Sequence, residues 1–255
     1  MSKSSHLKFS EPRIALWDIE TAPIEGYSWG MYEQNIVAVK NPTYLLSFAW
    51  KWLGEKKIST HCLPDYKGYR KDKKNDGPLV EELWKVMNAA DILVAHNGDK
   101  FDQKKTHARF IINKLGPPAP VKTIDTLKIA RQNFGFDSNK LNDLAKYLGI
   151  GKKIPNTGMH LWLSCMAGDP ASWKIMRKYN AHDVKLLEEV YLLLRPWAKN
   201  HPNLNTYSHA VACPTCQSTD TQRRGEDRTL ARTYQRHHCQ SCRRWFRGEQ
   251  VKIAA

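Results

Sequence analysis

Residues 13–20 read Arg-Ile-Ala-Leu-Trp-Asp-Ile-Glu, a short apolar run that turns acidic at its end. The pattern predicts a strand. Side chains alternate across a strand, so Asp18 and Glu20 point to one face while Ile19 points to the other. Two carboxylates held side by side repel unless something positive lies between them, and a divalent metal answers that need. An ordinary solvated strand end is the plain alternative.

Working outward, the rest of the first 200 residues alternates strand and helix signals. Tyr44–Leu53 and Lys56–Cys62 flank Gly54-Glu55 and read as a hairpin. Leu79–Ala90 carries helical apolar spacing, with Pro78 just inside its start. Asp91–Ala95 (DILVA) is a short strand. Asp99–Leu115 is helical and stops before Gly116-Pro117-Pro118. Val121–Ile124 reads as a strand, and Asp125–Asn133 and Asn142–Leu148 as helices. A long helix runs from Asp169-Pro170 to Leu194, with Asp169 as its cap, and Pro196 ends it. This order predicts an α/β fold, a mixed sheet flanked by helices.

Two further acidic sites stand out. His96-Asn97-Gly98-Asp99-Lys100-Phe101-Asp102 follows DILVA directly, at a strand's carboxyl end, where open α/β sheets bind ligands. Gly98 permits a tight turn, Phe101 is expected to anchor the helix start in the core, and Asp102 projects from the first turn. Asp99 is read as favouring the helix N-terminus. Tyr179-Asn180-Ala181-His182-Asp183 lies inside the last long helix, where Tyr179 and Asp183 share a face one turn apart.

Taken together, the three sites resemble the DEDD-type 3′–5′ exonucleases, the DnaQ-like branch of the ribonuclease-H-like fold. The family's first motif, D-x-E, is matched by Asp18 and Glu20. Its second, an Asn followed by F-D, is matched by Asn97, Phe101 and Asp102; the third, Y-x-x-x-D, by Tyr179 and Asp183. The tyrosine places the resemblance in the DEDDy subgroup, and the second motif's spacing is similar to that of proofreading exonucleases of B-family polymerases. The resemblance covers residues 10–200; no polymerase domain is read in the chain. Asp125, in IDTLKIAR, resembles a family helix start and is read as structural.

The resemblance implies a two-metal-ion reaction. Two Mg²⁺ or Mn²⁺ ions, roughly 3.5–4 Å apart, would share Asp18 and be completed by Glu20, Asp102 and Asp183. Tyr179 would orient the attacking water, since a phenol with a pKa near 10 is a poor base. The product would be a nucleoside 5′-monophosphate, and Glu20 is also placed to bind the terminal 3′-hydroxyl. Asn97 is grouped with the nucleic-acid contacts. Tyr27 and Trp29, after Glu20, either stack on the terminal base or fold back into the core. His182, His96 and His160 are read mainly as non-catalytic. Lys67, Arg70, Lys71, Lys73 and Lys74, interleaved with Tyr66 and Tyr69, form a basic loop, either solvated or following a phosphate backbone.

Four of the six cysteines pair as Cys213-x-x-Cys216 and Cys239-x-x-Cys242. Two such knuckles fit one structural Zn²⁺ closed by four thiolates, and the segment resembles a zinc ribbon at 212–250. His237 and His238 adjoin Cys239 as possible substitute ligands. Arg243, Arg244 and Arg247 follow the last cysteine and are expected on phosphate, while either Trp245 or Phe246 is expected in a small ribbon core. Residues 201–211, polar and turn-rich, read as a linker. Cys62 and Cys165 sit alone in apolar surroundings and read as buried fillers.

Nine Trp, ten Tyr and seven Phe within a 41% hydrophobic chain of 255 residues supply a sizeable core, which excludes wholesale disorder. No apolar run approaches a membrane span, and residues 1–13 carry no apolar signal region, so a cytoplasmic protein without membrane partner is expected. The net charge of +15 favours a polyanion. Nucleic acid is the expected partner, DNA favoured and RNA open. The competing readings are a nucleic-acid- or protein-binding adaptor on a nuclease-like fold, and a structure-specific endonuclease.

Overall fold

The computed structural model describes residues 11–32, 34–207 and 212–251. Ser10, the expected start of the catalytic domain, and residues 208–211 of the expected linker lie outside the described residues. The chain forms two compact units. The larger comprises Arg13–Lys128 and Phe136–Val190; the described residues of the smaller fall in Glu11–Pro12, Ile129–Gly135 and Tyr191–Ala255.

The larger unit is built on a five-stranded sheet. Its strands are β1 (Ile14–Thr21), β4 (Leu45–Trp52), β5 (Ser59–Cys62), β6 (Ile92–Ala95) and β7 (Lys122–Asp125), in the order β5-β4-β1-β6-β7. β4 and β5 form the expected hairpin, antiparallel to each other, and β4 lies antiparallel to β1. On the other side β6 and β7 run parallel to β1. The sheet is therefore mixed, as the alternation of hairpin and strand–helix signals predicts.

The helices of this unit are α1 (Gly77–Ala89), α2 (Asp102–Ile112), α4 (Leu141–Tyr147) and α5 (Met159–Ala167). α3 (Thr126–Asn133) and α6 (Pro170–Leu194) begin in it and end in the smaller unit. Leu79, Val80, Leu83 and Met87 of α1 bury the apolar stripe seen in the sequence. Asp169 caps α6 as expected, accepting from Ser172 N at 2.9 Å. The core joins Trp17, Ile19, Leu46, Phe48, Leu93 and Met176, and both lone cysteines, Cys62 and Cys165, are fully buried.

Three elements of this unit were not legible in the pattern. A separate hairpin, β2 (Glu25–Tyr27) with β3 (Ala38–Asn41), occupies the stretch after Glu20. α5 is apolar nearly all round (MHLWLSCMA) and shows no helical stripe. α2 also starts three residues later than Asp99, because Asn97–Phe101 first turn the chain.

The smaller unit holds a three-stranded antiparallel sheet of β8 (Thr221–Arg228), β9 (Thr233–Cys239) and β10 (Trp245–Gln250), ordered β10-β9-β8. Leu204 and Asn205, in the described part of the segment read as a linker, are tied into this unit. Leu204 N donates to Pro214 O at 2.8 Å and Asn205 Nδ2 to Ala212 O at 2.6 Å. The unit boundary accordingly falls inside α6, at Val190–Tyr191. Among the described residues, no helix is long and apolar enough to cross a membrane.

Candidate active site

β1 is the central strand, and the site grows from its carboxyl end. β6 pairs with β1 only from Ile14 to Leu16. Beyond that point the β1 backbone has no strand neighbour on the β6 side among the described residues, and Ile19 N donates to Asp102 Oδ1 at 3.3 Å. This contact fixes the first turn of α2 against β1, and Asp102 is buried. The turn that delivers it needs two special residues. Asn97 adopts φ 65°, a left-handed conformation that Asn tolerates, and its N–H donates to Asp125 Oδ1 at 2.8 Å. Gly98 is required for space, since a Cβ there would lie 2.4 Å from the Ala95 Cβ. Asp125 also accepts from Leu127 N, which makes it structural, as read. Asp99 pairs with Lys128 at 2.5 Å. Phe101 is a correction: its ring is 41% exposed, not anchored in the core, because the α2 start is held by the Asp102 and backbone contacts instead.

α6 brings the third group. Asn180 and Asp183 are buried on the face toward β1 and β4. Asn180 Nδ2 donates to Asp18 Oδ2 at 2.6 Å, and its Oδ1 accepts from Ser47 Oγ at 3.1 Å. Carboxylate oxygens of Asp18, Glu20 and Asp183 all lie within 4.8 Å of one another. Asp102 stands beside this trio and acts on Asp18 through its charge.

The electrostatics follow from burial. Asp18 is held well above the usual carboxylate range by desolvation, then by the charges of Glu20, Asp102 and Asp183. Burial, reinforced by Asp183, pushes Glu20 up to about 8, against an indole hydrogen bond from Trp162. Asp102 rises to about 7, chiefly by burial and against the Ile19 N–H. Asp183 is raised by burial against the opposing pull of Lys153. Four carboxyls that resist ionisation in one place are a site short of positive charge.

Lys153, unread in the sequence, supplies part of it. From the loop between α4 and α5, its Nζ donates to Asp183 Oδ2 at 2.5 Å and lies 3.1 Å from the Tyr179 hydroxyl. Burial opposes its charge, yet Asp183 and Asp18 together hold its pKa above that of an ordinary lysine. Tyr179 is buried and pushed up to about 12 by desolvation and by Asp183, so it stays a neutral donor. Its ring packs edge-on to Trp162 at 5.9 Å.

The donor set suits a hard divalent cation. All the groups are oxygen ligands, and Asp183 Oδ1 is buried with no hydrogen-bond partner. Ligands on one Mg²⁺ at 2.0–2.1 Å stand at most about 4.2 Å apart, close to the spread of the trio.

Other expected groups fall elsewhere. Tyr27 and Trp29 lie on the β2–β3 hairpin, 61% and 90% exposed, so neither folds back into the core. His96 is packed between Thr126 Oγ1 and Asn139 O, and His182 Nε2 binds Lys152 O. His160 is exposed.

In the smaller unit Cys213, Cys216, Cys239 and Cys242 converge, with Sγ–Sγ separations of 3.6 Å for Cys213–Cys242 and for Cys216–Cys239. Four thiolates at 2.3 Å from one tetrahedral Zn²⁺ would stand about 3.8 Å apart, so the spacing suits such an ion. His237 and His238 stack on Phe246 and Trp245 and are not part of the cluster. Phe246 packs against the cysteines while Trp245 is 51% exposed. Arg244 departs from its expected place on phosphate. Its guanidinium donates to the carbonyls of Pro196 and Ala198, both at 2.7 Å, at the end of a short 3-10 turn where carbonyls run out of helical donors. Arg247 pairs with Asp227 at 2.6 Å, and Arg243 is exposed.

Comparison with known proteins agrees with this architecture. A family B DNA polymerase from the hyperthermophilic archaeon Pyrobaculum calidifontis superposes with a TM-score of 0.51 at 15% identity over 88% of this chain. The likeness is one of fold, and the chain spans about a third (32%) of that polymerase's length. No curated protein matches the sequence. The family model of the RNase_H superfamily matches residues 33–195, a segment that holds Asp102, Tyr179 and Asp183 and begins after β1. With well over half of its length matched, the chain belongs to the RNase_H superfamily.

Proposed function

We propose that the protein is a metal-dependent 3′–5′ exonuclease that releases nucleoside 5′-monophosphates from nucleic acid. The observation that carries the reading is the convergence of Asp18, Glu20 and Asp183 within 4.8 Å, beside buried Asp102 and a neutral Tyr179 hydroxyl. Asp18, Glu20, Asp102 and Asp183 would hold two Mg²⁺ or Mn²⁺ ions. When bound, these supply the Lewis acidity that makes water nucleophilic at neutral pH and stabilises the leaving 3′ oxygen. Asn180 holds Asp18 in one orientation through its 2.6 Å hydrogen bond. The Tyr179 hydroxyl orients the attacking water. Lys153 balances Asp183 and offers a donor toward the non-bridging phosphate oxygens. Glu20 accepts from the terminal 3′-hydroxyl, which selects strand ends. Tyr27 and Trp29, exposed on the hairpin, stack on unpaired bases, and Asn97 borders the strand. The fold likeness to a DNA polymerase supports DNA over RNA. The cysteine cluster would hold one structural Zn²⁺, and Arg243, exposed just after it, offers its guanidinium to phosphate. A cytoplasmic setting suits four reduced thiols.

The test uses end-labelled single-stranded DNA with and without Mg²⁺, beside a matched RNA and a circular single strand. Mononucleotides released only with Mg²⁺, with circles intact, support the reading. Cut circles make the protein an endonuclease, and absence of any cleavage leaves a binding adaptor.

A further inference from the structure

We propose that the cleft between residues 66–73 and the start of α6 is a track for the phosphate backbone of a nucleic-acid strand, outside the carboxylate site. The proposal deepens the nuclease reading, since it assigns where the strand beyond the reacting end is held. The cleft has a volume of about 630 Å³. Among the described residues five cations line it, Lys67, Arg70, Lys73, Lys174 and Arg177, and no carboxylate does. The loop and the helix that contribute them are about a hundred residues apart in sequence, so the fold itself gathers this charge.

Two of the five are already engaged. Arg177 pairs with Asp65 at 2.5 Å, and Lys73 Nζ donates to Ala167 O at 2.5 Å. The nearby Asp169 turns its carboxylate to Ser172. Lys67, Arg70 and Lys174 are exposed and make no ion pair or hydrogen bond among the described residues. Three uncompensated cations around one concavity attract a polyanion. The floor suits a sugar–phosphate chain as well. Trp173 Nε1 donates to the Tyr69 hydroxyl at 3.0 Å, and the two rings meet edge-on at 6.1 Å, giving a rigid apolar base under a charged rim. Trp173 lies ten residues before Asp183 on α6, about 15 Å at 1.5 Å per residue. At 3.4 Å per stacked nucleotide, that is four to five nucleotides. A strand of that length or more reaches both places; a dinucleotide does not.

The experiment reverses charge at the free rim in the full chain, Lys67→Glu with Arg70→Glu and Lys174→Glu. A control reverses three exposed lysines outside the cleft, Lys56, Lys57 and Lys122. Kd for a labelled 20-nucleotide single-stranded DNA is measured across salt in EDTA, where no hydrolysis occurs, and thermal melting checks the fold. The rim variant should bind about tenfold more weakly at low salt, with a salt slope smaller by about 2, the value for three lost phosphate contacts. The control should change the slope by less than half of that. In Mg²⁺, cleavage of a trinucleotide should be unchanged while KM rises for the 20-mer. An unchanged Kd and slope, or an equal loss in the control, overturns the proposal. Equal loss of cleavage for trinucleotide and 20-mer overturns it too, because the cleft would then belong to the catalytic site. If wild type cleaves nothing in Mg²⁺, the nuclease reading fails while the EDTA binding result still decides the track.

Discussion

Replacing Glu20 by Gln should make the metal-free protein more stable. Glu20 sits in the folded protein with its carboxyl pushed up from 4.5 to about 8, first by burial and then by Asp183. At pH 7 the folded chain keeps this group protonated while the unfolded chain ionises it. The 2.5 units between 4.5 and 7, at about 1.4 kcal/mol each, amount to about 3.5 kcal/mol of lost stability. Glu20 is only part-buried at its surface, so solvent lowers the figure to about 2–3 kcal/mol. Gln removes the charge, keeps the shape and can still accept from the Trp162 indole.

The direction with pH is fixed by which state binds more protons. Between pH 4.5 and 8 the folded state does, so wild-type stability in EDTA falls as pH rises through that window. Glu20→Gln should therefore match wild type near pH 4.5 and exceed it increasingly up to pH 8. In a melting experiment at pH 7 the gap should be about 5–10 °C. Mg²⁺ at a hundred times Kd should then stabilise wild type by about 2.7 kcal/mol, raising its Tm, and stabilise the variant less. A variant less stable than wild type in EDTA, or a gap flat in pH, would refute the argument. Glu20 would then be a structural partner of Trp162, not a ligand waiting for a cation.

Tyr179→Phe removes only a hydroxyl, and should lower single-turnover cleavage by about 10²–10⁴-fold with DNA affinity in EDTA unchanged; lost affinity with intact turnover would make the residue a substrate contact. Cys239→Ser should abolish stoichiometric zinc retained after dialysis, read by elemental analysis, since three thiolates no longer close the sphere; retention of one zinc would remove Cys239 from the ligand set. Asp76 is buried and accepts from Leu45 N, from Arg109 Nε and Nη2, and from Asn113, so Asp76→Ala should cost about 3–5 kcal/mol in urea unfolding. A loss under 1 kcal/mol would show that Arg109 finds another partner.

What the sequence made legible was what depends on local periodicity. The strand alternation that put Asp18 and Glu20 on one face, and the helical spacing that put Tyr179 and Asp183 on another, are properties of a few neighbouring residues. The strand β6 followed by a turn and α2 was readable for the same reason. The groups that tune the site are different, because their partners are remote. Asn180 lies inside the quoted Tyr179–Asp183 motif, yet its role is set by Asp18, 162 residues away. Lys153 belongs to an irregular loop, where no periodicity marks it, and gains meaning only from Asp183 thirty residues on. An aromatic at a helix start suggests burial, yet Phe101 is exposed, because a first helical turn held by the buried Asp102 carboxylate needs no apolar anchor. The charge and position of Arg244 suggest phosphate, whereas helix-end carbonyls compete for the same donors. The cleft above α6 completes the pattern. Its loop lysines stood out in the sequence as a charge run, the reading for which is ordinarily a solvated face. Only the arrival of Lys174 and Arg177 from α6, with the Tyr69–Trp173 pair beneath, turns that run into a concave surface with a chemistry of its own.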